Sequence, residues 1–304
     1  MTDKPIKNIP ASVRQRLLNQ AKQDRRPFNE LLQYYGMERF LYRLSQSPFA
    51  KQFVLKGGLM LRVWNASESR PTMDIDMLGK TSNDPSQIIR QMQEIIALRV
   101  EPDGMAFDPA SLVTEPITKD ADYQGVRVRC LGYLDRAKIN IQLDLGFGDV
   151  VFPQPETSLL PTLLDYPAPQ LLCYSRESVI AEKFEAMLKL GALNSRMKDF
   201  YDLWLLSQQF DFDGAKLTEA IRLTLDHRGT ALSDSIVPFS AEFARDKQVQ
   251  WVALCKRLGR ERTPTEFVWV VEVIRGFLAP LVAALLSDVQ PPSRWMAGGT
   301  WSGQ

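Results

Sequence analysis

Histidine is nearly absent from this chain, and His227 is its only one. A single histidine excludes Ser-His-Asp and Cys-His catalysis and every metal site built from several imidazoles. The three cysteines, Cys130, Cys173 and Cys255, are odd in number and far apart, so neither a disulfide framework nor a zinc-ligand spacing is available. Any chemistry must rest on carboxylates, lysines and backbone groups, and we expect a reducing, cytoplasmic location.

The N-terminal region also lacks a continuous apolar signal segment. The one long apolar stretch, Phe267 to Leu286, is interrupted by Glu272, Arg275 and Pro280. Because charges and proline are unfavourable inside a bilayer, these interruptions favour a buried C-terminal helix over a membrane span. We therefore expect no membrane partner.

The chain also has almost no net charge, since its formal charge is +1. The charges are nevertheless unevenly distributed. The segment through Lys56 holds eleven Lys or Arg against four Asp or Glu, an excess of seven positive charges, so the remainder carries an excess of about six negative charges. This asymmetry suggests an electrostatic surface for nucleic acid, and it is equally compatible with a solvated basic helical face.

The periodicity of apolar residues changes twice along the chain and predicts an α+β fold in two lobes. We expect a mixed-sheet core followed by a helical C-terminal lobe. The predicted divisions are an N-terminal helical segment packed on the core, the core itself, the helical lobe, and a polar, flexible tail, at residues 1–47, 48–170, 171–290 and 291–304.

The acidic pair Asp74 and Asp76 is the first candidate site. In the alternating segment Met73 to Leu78, the two aspartates share one face of a strand, while Met73, Ile75 and Met77 enter the core. Two aligned carboxylates repel each other unless water, a basic group or a divalent cation neutralises them. Magnesium takes carboxylate oxygens together with substrate phosphates. A solvated strand edge is the alternative interpretation.

A second alternating strand, Ile139 to Leu145, places Asn140, Gln142 and Asp144 on one face. If this strand lies beside the first, Asp144 completes three carboxylates that could hold two metal ions. The alternative is that Asp144 belongs to the polar side of an amphipathic strand.

A glycine turn precedes both strands, at Lys56, Gly57 and Gly58. Paired glycines between a strand and a helix let backbone N–H groups approach an anion, and the helix N-terminus adds a favourable dipole. An ordinary tight turn would show the same pattern. The order of glycine turn, helix, acidic pair and third aspartate is that of a polymerase-β-like nucleotidyltransferase core.

Five ordered motifs carry a more specific resemblance: KGGLML, RPTMDIDM, IQLDLGFGD, AEKFEAM and SRMKDFYDLW. Running from Lys56 to Trp204, they resemble the AbiEii/AbiGii toxins, nucleotidyltransferases of type IV toxin–antitoxin and abortive-infection systems. The resemblance implies a bilobed protein with a minimal nucleotidyltransferase core. It also implies NMP transfer from an NTP to the 3′ end of tRNA with Mg²⁺ or Mn²⁺, and a cognate antitoxin. Gly58 departs from the wider superfamily, where many members have a serine.

The last two motifs contribute further candidates. Lys183 borders the apolar stripe of a helix that Ser175 caps, which alone indicates a surface lysine. The resemblance implies instead that Lys183 lies beside the triphosphate, oriented by Asp202 or Asp199. Asp202 could equally form an i,i+4 ion pair with Lys198.

The predicted site has two sets of residues. The catalytic set is Asp74, Asp76, Asp144, Lys183 and Asp202, of which the first three hold metal. The nucleotide-binding set is Lys56, Gly57, Gly58, Arg70, Thr72, Lys198 and Asp199.

Two other functions stay open at this stage. A nucleotidyltransferase that modifies a protein or a small molecule, such as an antibiotic, would use the same residues. So would a module that binds NTP without turning it over.

Overall fold

The computed structural model describes residues 8–67, 70–118, 124–259 and 263–302, so Lys4 and Lys7 of the basic N-terminal segment lie outside it. Backbone contacts divide the chain into two compact units. The first unit contains Met1–Trp64, Pro71–Gly148 and Glu156–Cys173. The second contains Asn65–Arg70, Asp149–Pro155 and Tyr174–Gln304.

The first unit has a mixed seven-stranded sheet in the order β3-β4-β5-β2-β1-β7-β6. The pairs β2/β5 and β1/β7 are parallel and the other neighbours antiparallel. In chain order the elements are α1 (Ile9–Gln23), α2 (Phe28–Gln46), β1 (Phe53–Lys56), α3 (Met60–Val63), β2 (Ile75–Gly79), α4 (Pro85–Ala97), β3 (Met105–Thr118), β4 (Gln124–Leu134), β5 (Ala137–Phe147), β6 (Glu156–Leu159) and β7 (Gln170–Cys173).

The sheet confirms the alternation that predicted its central strands. Ile75 and Met77 of β2 are fully buried. Met73, which was also expected in the core, is 54% exposed, because β2 begins only at Ile75 and Met73 precedes its pleat. The turn that joins β4 to β5 contains Asp135, at φ 54°.

One face of β5 packs against helix α2. Gly36 allows this close approach, since a Cβ there would lie 2.9 Å from Cγ2 of Ile139 and 3.0 Å from Cδ1 of Ile141. The opposite face of β5 carries Asn140, Gln142 and Asp144, which are exposed or only partly buried. The covered face of the sheet therefore forms the core, and the other face is available for polar groups.

Two arginines of α2 belong to this core and not to a basic surface. Arg43 donates to both oxygens of Asp103 at 2.7 and 3.1 Å. Arg39 is fully buried beside Glu38 and donates to the carbonyl of Pro167 at 3.0 Å. Arg39 and Arg43 therefore do not contribute to the predicted nucleic-acid surface, because a bound partner could not reach their buried side chains.

The second unit is mostly helical, with a small three-stranded sheet in the order β10-β9-β8. Its elements are α5 (Arg176–Leu190), α6 (Met197–Gln209), β8 (Phe212–Asp213), α7 (Gly214–Arg228), α8 (Ala241–Leu258), α9 (Phe267–Ser287), β9 (Arg294–Trp295) and β10 (Trp301–Ser302). Ser175 caps α5 as predicted, accepting from the backbone N–H of Ser178 at 3.1 Å.

The segment after residue 291, which we expected to be flexible, is tied to this unit as far as Ser302. Trp295 is buried and donates its ring N–H to the carbonyl of Ser207 at 2.7 Å. Trp301 stacks on Phe277, with ring centroids 5.9 Å apart. The two tryptophans bury enough aromatic surface to order a segment whose other residues are mostly polar.

Helix α9 is the apolar stretch singled out in the sequence. Its length and composition would allow it to cross a membrane. In the structure it packs against α6, α7 and α8, and its buried residues include Val270, Ile274 and Leu281. Among the residues that the structure describes, one helix is long and apolar enough to cross a membrane, and it is α9. Its buried residues form part of the core of the second unit.

Candidate active site

Seven predicted site residues lie in the first unit, and three of them, Lys56, Asp76 and Asp144, are on neighbouring strands. Asp76 of β2 is the direct partner of Asp144 on the parallel strand β5. On its other side Asp76 is the partner of Lys56 on the antiparallel strand β1. Asp74 lies in the bend just before β2, two residues ahead of Asp76. Strand register therefore assembles residues that are up to 88 positions apart in the sequence.

The three aspartates can act as one set of ligands. One carboxylate oxygen from each of Asp74, Asp76 and Asp144 lies within 4.8 Å of the others. The hydroxyl of Thr72, expected to bind nucleotide, donates to Oδ1 of Asp74 at 2.7 Å and so orients that carboxylate. The Asp144 side chain is 12% exposed.

Gly57 provides the space that Asp76 occupies. Its φ of +70° lies in the left-handed region, which is unfavourable for any residue with a Cβ. A Cβ at this position would lie 2.1 Å from Oδ2 of Asp76. Glycine is therefore required here both for the backbone conformation and for the carboxylate beside it. Gly58 follows in the same 3₁₀ turn and is buried.

The glycine turn leads into a short helix. Helix α3 has four residues, Met60–Val63, after the 3₁₀ turn Gly57–Leu59. Because the helix dipole is a sum over aligned peptide groups, a single turn adds little to it. Any anion binding at this turn must depend mainly on individual backbone N–H groups and on Lys56.

Arg127 is a charged partner of the site that the sequence analysis did not identify. It lies directly opposite Asp144 on strand β4 and donates to both oxygens, from Nε and Nη2, at 2.7 Å each. These hydrogen bonds raise the pKa of the Arg127 guanidinium above its ordinary value. The available signal was the alternation of Val126, Val128 and Cys130, which places Arg127 on the polar face of its strand.

Four other charged candidates, Arg70, Lys183, Asp199 and Asp202, form a cluster within the second unit. Lys183 of α5 contacts Oδ1 of Asp199 at 2.6 Å and Oδ2 of Asp202 at 2.8 Å. Arg70, which also belongs to this unit, donates to both oxygens of Asp202 at 2.7 and 2.8 Å. Arg196 pairs with Asp199 at 2.7 Å. Asp199 and Asp202 both contact Lys183, so the two aspartates act on this lysine together.

The protonation states of this cluster follow from its contacts. Burial by itself lowers the pKa of Lys183, but Asp199 and Asp202 outweigh burial and raise the pKa above its ordinary value. Burial likewise works to raise the pKa of Asp202, yet Arg70 and Lys183 together lower it. Lys183 is thus a permanent cation near neutral pH, which suits charge stabilisation and not proton abstraction.

Lys198 and Tyr201, in the last of the five motifs, lie in two different environments. Lys198 is exposed on the surface of α6, while Asp202 turns inward to Arg70 and Lys183. Tyr201 is fully buried and packs against Trp204 and Trp251, with ring centroids 5.7 and 6.4 Å apart. The tyrosine therefore belongs to the core of the second unit.

The chain matches one family model over most of its length. The model for the nucleotidyl transferase AbiEii toxin of type IV toxin–antitoxin systems matches residues 39–273. No curated protein matches the chain.

Two solved structures are also similar to it. A crystal structure of a proposed nucleotidyltransferase from H. pylori has 15% sequence identity and a TM-score of 0.45, covering 81% of this chain and 93% of that one. The crystal structure of JHP933 from Helicobacter pylori has 14% identity and the same TM-score, with coverages of 82% and 92%.

Proposed function

We infer the reaction of this protein from its family, since the chain belongs to the AbiEii nucleotidyl transferase toxins of type IV toxin–antitoxin systems. It is a nucleotidyltransferase, and the family implies an NTP substrate and an antitoxin partner. We propose that it transfers NMP to an acceptor hydroxyl at the 3′ end of a tRNA. A tRNA extended in this way could not be charged normally, and translation would stop.

The observation that carries this proposal is the set of three aspartates in the first unit. Their oxygens are close enough to share a cation, and Asp76 fits only because Gly57 has no side chain. Hard divalent ions such as Mg²⁺ or Mn²⁺ prefer carboxylate oxygens, so the donor set fits this kind of ion. Such an ion supplies Lewis acidity, which promotes loss of the acceptor proton and neutralises phosphate charge.

The protein's own groups have distinct roles in the proposed reaction. Backbone N–H groups of Gly57 and Gly58, helped by Lys56, hold the triphosphate. The acceptor oxygen attacks the α-phosphorus in line, the α–β P–O bond breaks, and pyrophosphate leaves with that electron pair. The hydroxyl proton passes to solvent. In the second unit, ion pairs with Asp199 and Asp202 keep Lys183 charged. A charge-stabilising role for this lysine stays a prediction of the family resemblance.

Transfer of label to RNA tests the proposal. The protein is incubated with MgCl₂, total tRNA and each α-³²P NTP in turn, and we expect one or more nucleotides to label the tRNA. Asp76→Asn and Asp144→Asn should abolish labelling. The control Asp135→Asn changes an exposed aspartate at the turn between β4 and β5, and it should leave labelling intact.

Each failure has a separate meaning. Absence of label on RNA with every nucleotide would overturn the tRNA acceptor, and label on protein would assign the protein-modifying alternative. Full activity of Asp76→Asn, with circular dichroism unchanged, would overturn the assignment of the active site.

A further inference from the structure

Strand register brings five charged residues into one row across the sheet. In spatial order they are Glu115, Arg127, Asp144, Asp76 and Lys56, each the direct cross-strand partner of the next. Because direct partners on neighbouring strands project from the same face, the five side chains line one side of the sheet. The two central carboxylates are therefore flanked by a cation at each end.

Arg127 hydrogen-bonds to both carboxylate oxygens of Asp144. Its planar fork donates to both carboxylate oxygens at 2.7 Å, the geometry in which guanidinium binds carboxylate best. The pair is not locked in the core, since 28% of the Arg127 side chain is exposed. The arginine can therefore exchange partners without passing through a packed interior.

A second carboxylate stands on the far side of Arg127. Nη1 of Arg127 is 3.5 Å from Oε1 of Glu115, which is longer than its bonds to Asp144. Arg129 holds Glu115 in place by contacting both of its oxygens at 2.9 Å. Arg127 thus lies between a close partner in the candidate metal site and a more distant partner outside it.

We propose that Arg127 competes with divalent cations for Asp144 and so weakens cation binding when no nucleotide is present. This inference rests on the proposed function, in which Asp144 is a metal ligand. A cation at Asp144 must take or share oxygens that already accept two hydrogen bonds, and it meets a positive charge beside them. The negative charge of a triphosphate offsets that repulsion, so Arg127 couples firm cation binding to the arrival of nucleotide.

The sign of the effect separates this role from simple positioning. If Arg127 only orients Asp144, removing it loosens a ligand and weakens cation binding. If Arg127 competes, removing it frees both oxygens and removes a repulsion that acts with double strength on a divalent ion. The charge effect should dominate, because an aspartate side chain loses little rotational freedom on being fixed.

Binding of Mn²⁺ to the nucleotide-free, full-length protein tests the proposal. Free Mn²⁺ is measured by electron paramagnetic resonance for the unmodified protein, Arg127→Met and Arg127→Lys. We expect the dissociation constant to fall about tenfold in Arg127→Met, since one neighbouring charge is lost near the surface. Arg127→Lys keeps the charge and should stay close to the unmodified protein.

Arg129→Met is the matched control. Arg129 is the next arginine on the same face of β4 and bonds to Glu115 and Gln142, outside the three aspartates. Its removal should leave Mn²⁺ affinity unchanged. Arg127→Gln, which keeps an amide donor without the charge, repeats the test should the methionine variant fail to fold.

The outcomes distinguish this inference from the proposed function. Absence of Mn²⁺ binding, or binding that survives Asp76→Asn, would remove the metal site itself. Binding that depends on Asp76 but is equal or weaker in Arg127→Met would overturn competition alone. Equal tightening in Arg127→Met and Arg129→Met would also overturn it, because it would indicate a general surface-charge effect.

Discussion

Replacing Gly57 with alanine tests how closely the glycine turn approaches the acidic strand. An alanine Cβ would lie 2.1 Å from Oδ2 of Asp76 and 2.7 Å from its Cβ. The second distance is the more severe constraint. The carboxylate can rotate away from the new methyl group, whereas the Cβ of Asp76 is attached to strand β2 and can move only with the backbone.

The expected magnitude has two parts. Holding alanine at a φ of +70° costs about 1–2 kcal/mol. The overlap with Asp76 adds about 1–3 kcal/mol, as for an extra methyl group in a well-packed site. We therefore expect the free energy of unfolding to fall by about 2–5 kcal/mol. A shift of Asp76 approaching 1 Å should lower nucleotidyl transfer about 100-fold.

Gly148→Ala is the matched control for this prediction. Gly148 lies in the same unit at a φ of +83°, and a Cβ there would meet nothing within 4 Å. Urea unfolding of both variants separates the backbone part from the overlap, and transfer of labelled nucleotide measures the displacement of Asp76. Equal losses of stability in the two variants, with full transfer by Gly57→Ala, would refute the close approach.

Three further predictions concern stability. Burial raises the pKa of Glu38 from 4.5 to about 7, so between these pH values the folded protein holds a proton that the unfolded chain has released. The free energy of unfolding should fall by about 3 kcal/mol as pH rises through this window, and urea titrations of Glu38→Gln should lack this slope. Arg70→Ala leaves the buried Asp202 with one cation fewer and should cost about 3–5 kcal/mol, whereas Arg222→Ala, in an exposed set of ion pairs, should cost much less. Equal losses of stability in urea would contradict this. Trp295→Ala should cost about 3–5 kcal/mol and speed proteolysis after residue 291, and unchanged cleavage would show that the tail is held by other contacts.

Short-range patterns in the sequence were enough to predict several elements. The alternation at Ile75 and Met77 and the cap at Ser175 were both predicted correctly, because each depends on a few neighbouring residues. The α+β class and the family resemblance are also confirmed. Both were inferred from the order of short motifs along the chain, which requires no knowledge of tertiary contacts.

Other elements depended on partners distant in the chain. Strand β3 was not predicted, since Pro109 and Pro116 interrupt its pattern and its pairing depends on β4. Strands β6 and β7 pair with each other, and β7 also pairs with β1, which precedes it by more than 100 residues. The packing of Trp295 against Phe277 likewise involves residues 18 positions apart.

By itself the sequence determined which residues of the candidate site share a strand face, because side chains alternate with a period of two on any strand. It identified Asp74 and Asp76 as a pair and placed Asp144 on the polar side of a second strand. Only the tertiary structure decided the register that sets Asp144 beside Asp76 and Arg127 beside Asp144. Register depends on the packing of the whole sheet, and a shift of one residue would turn these side chains to the opposite face.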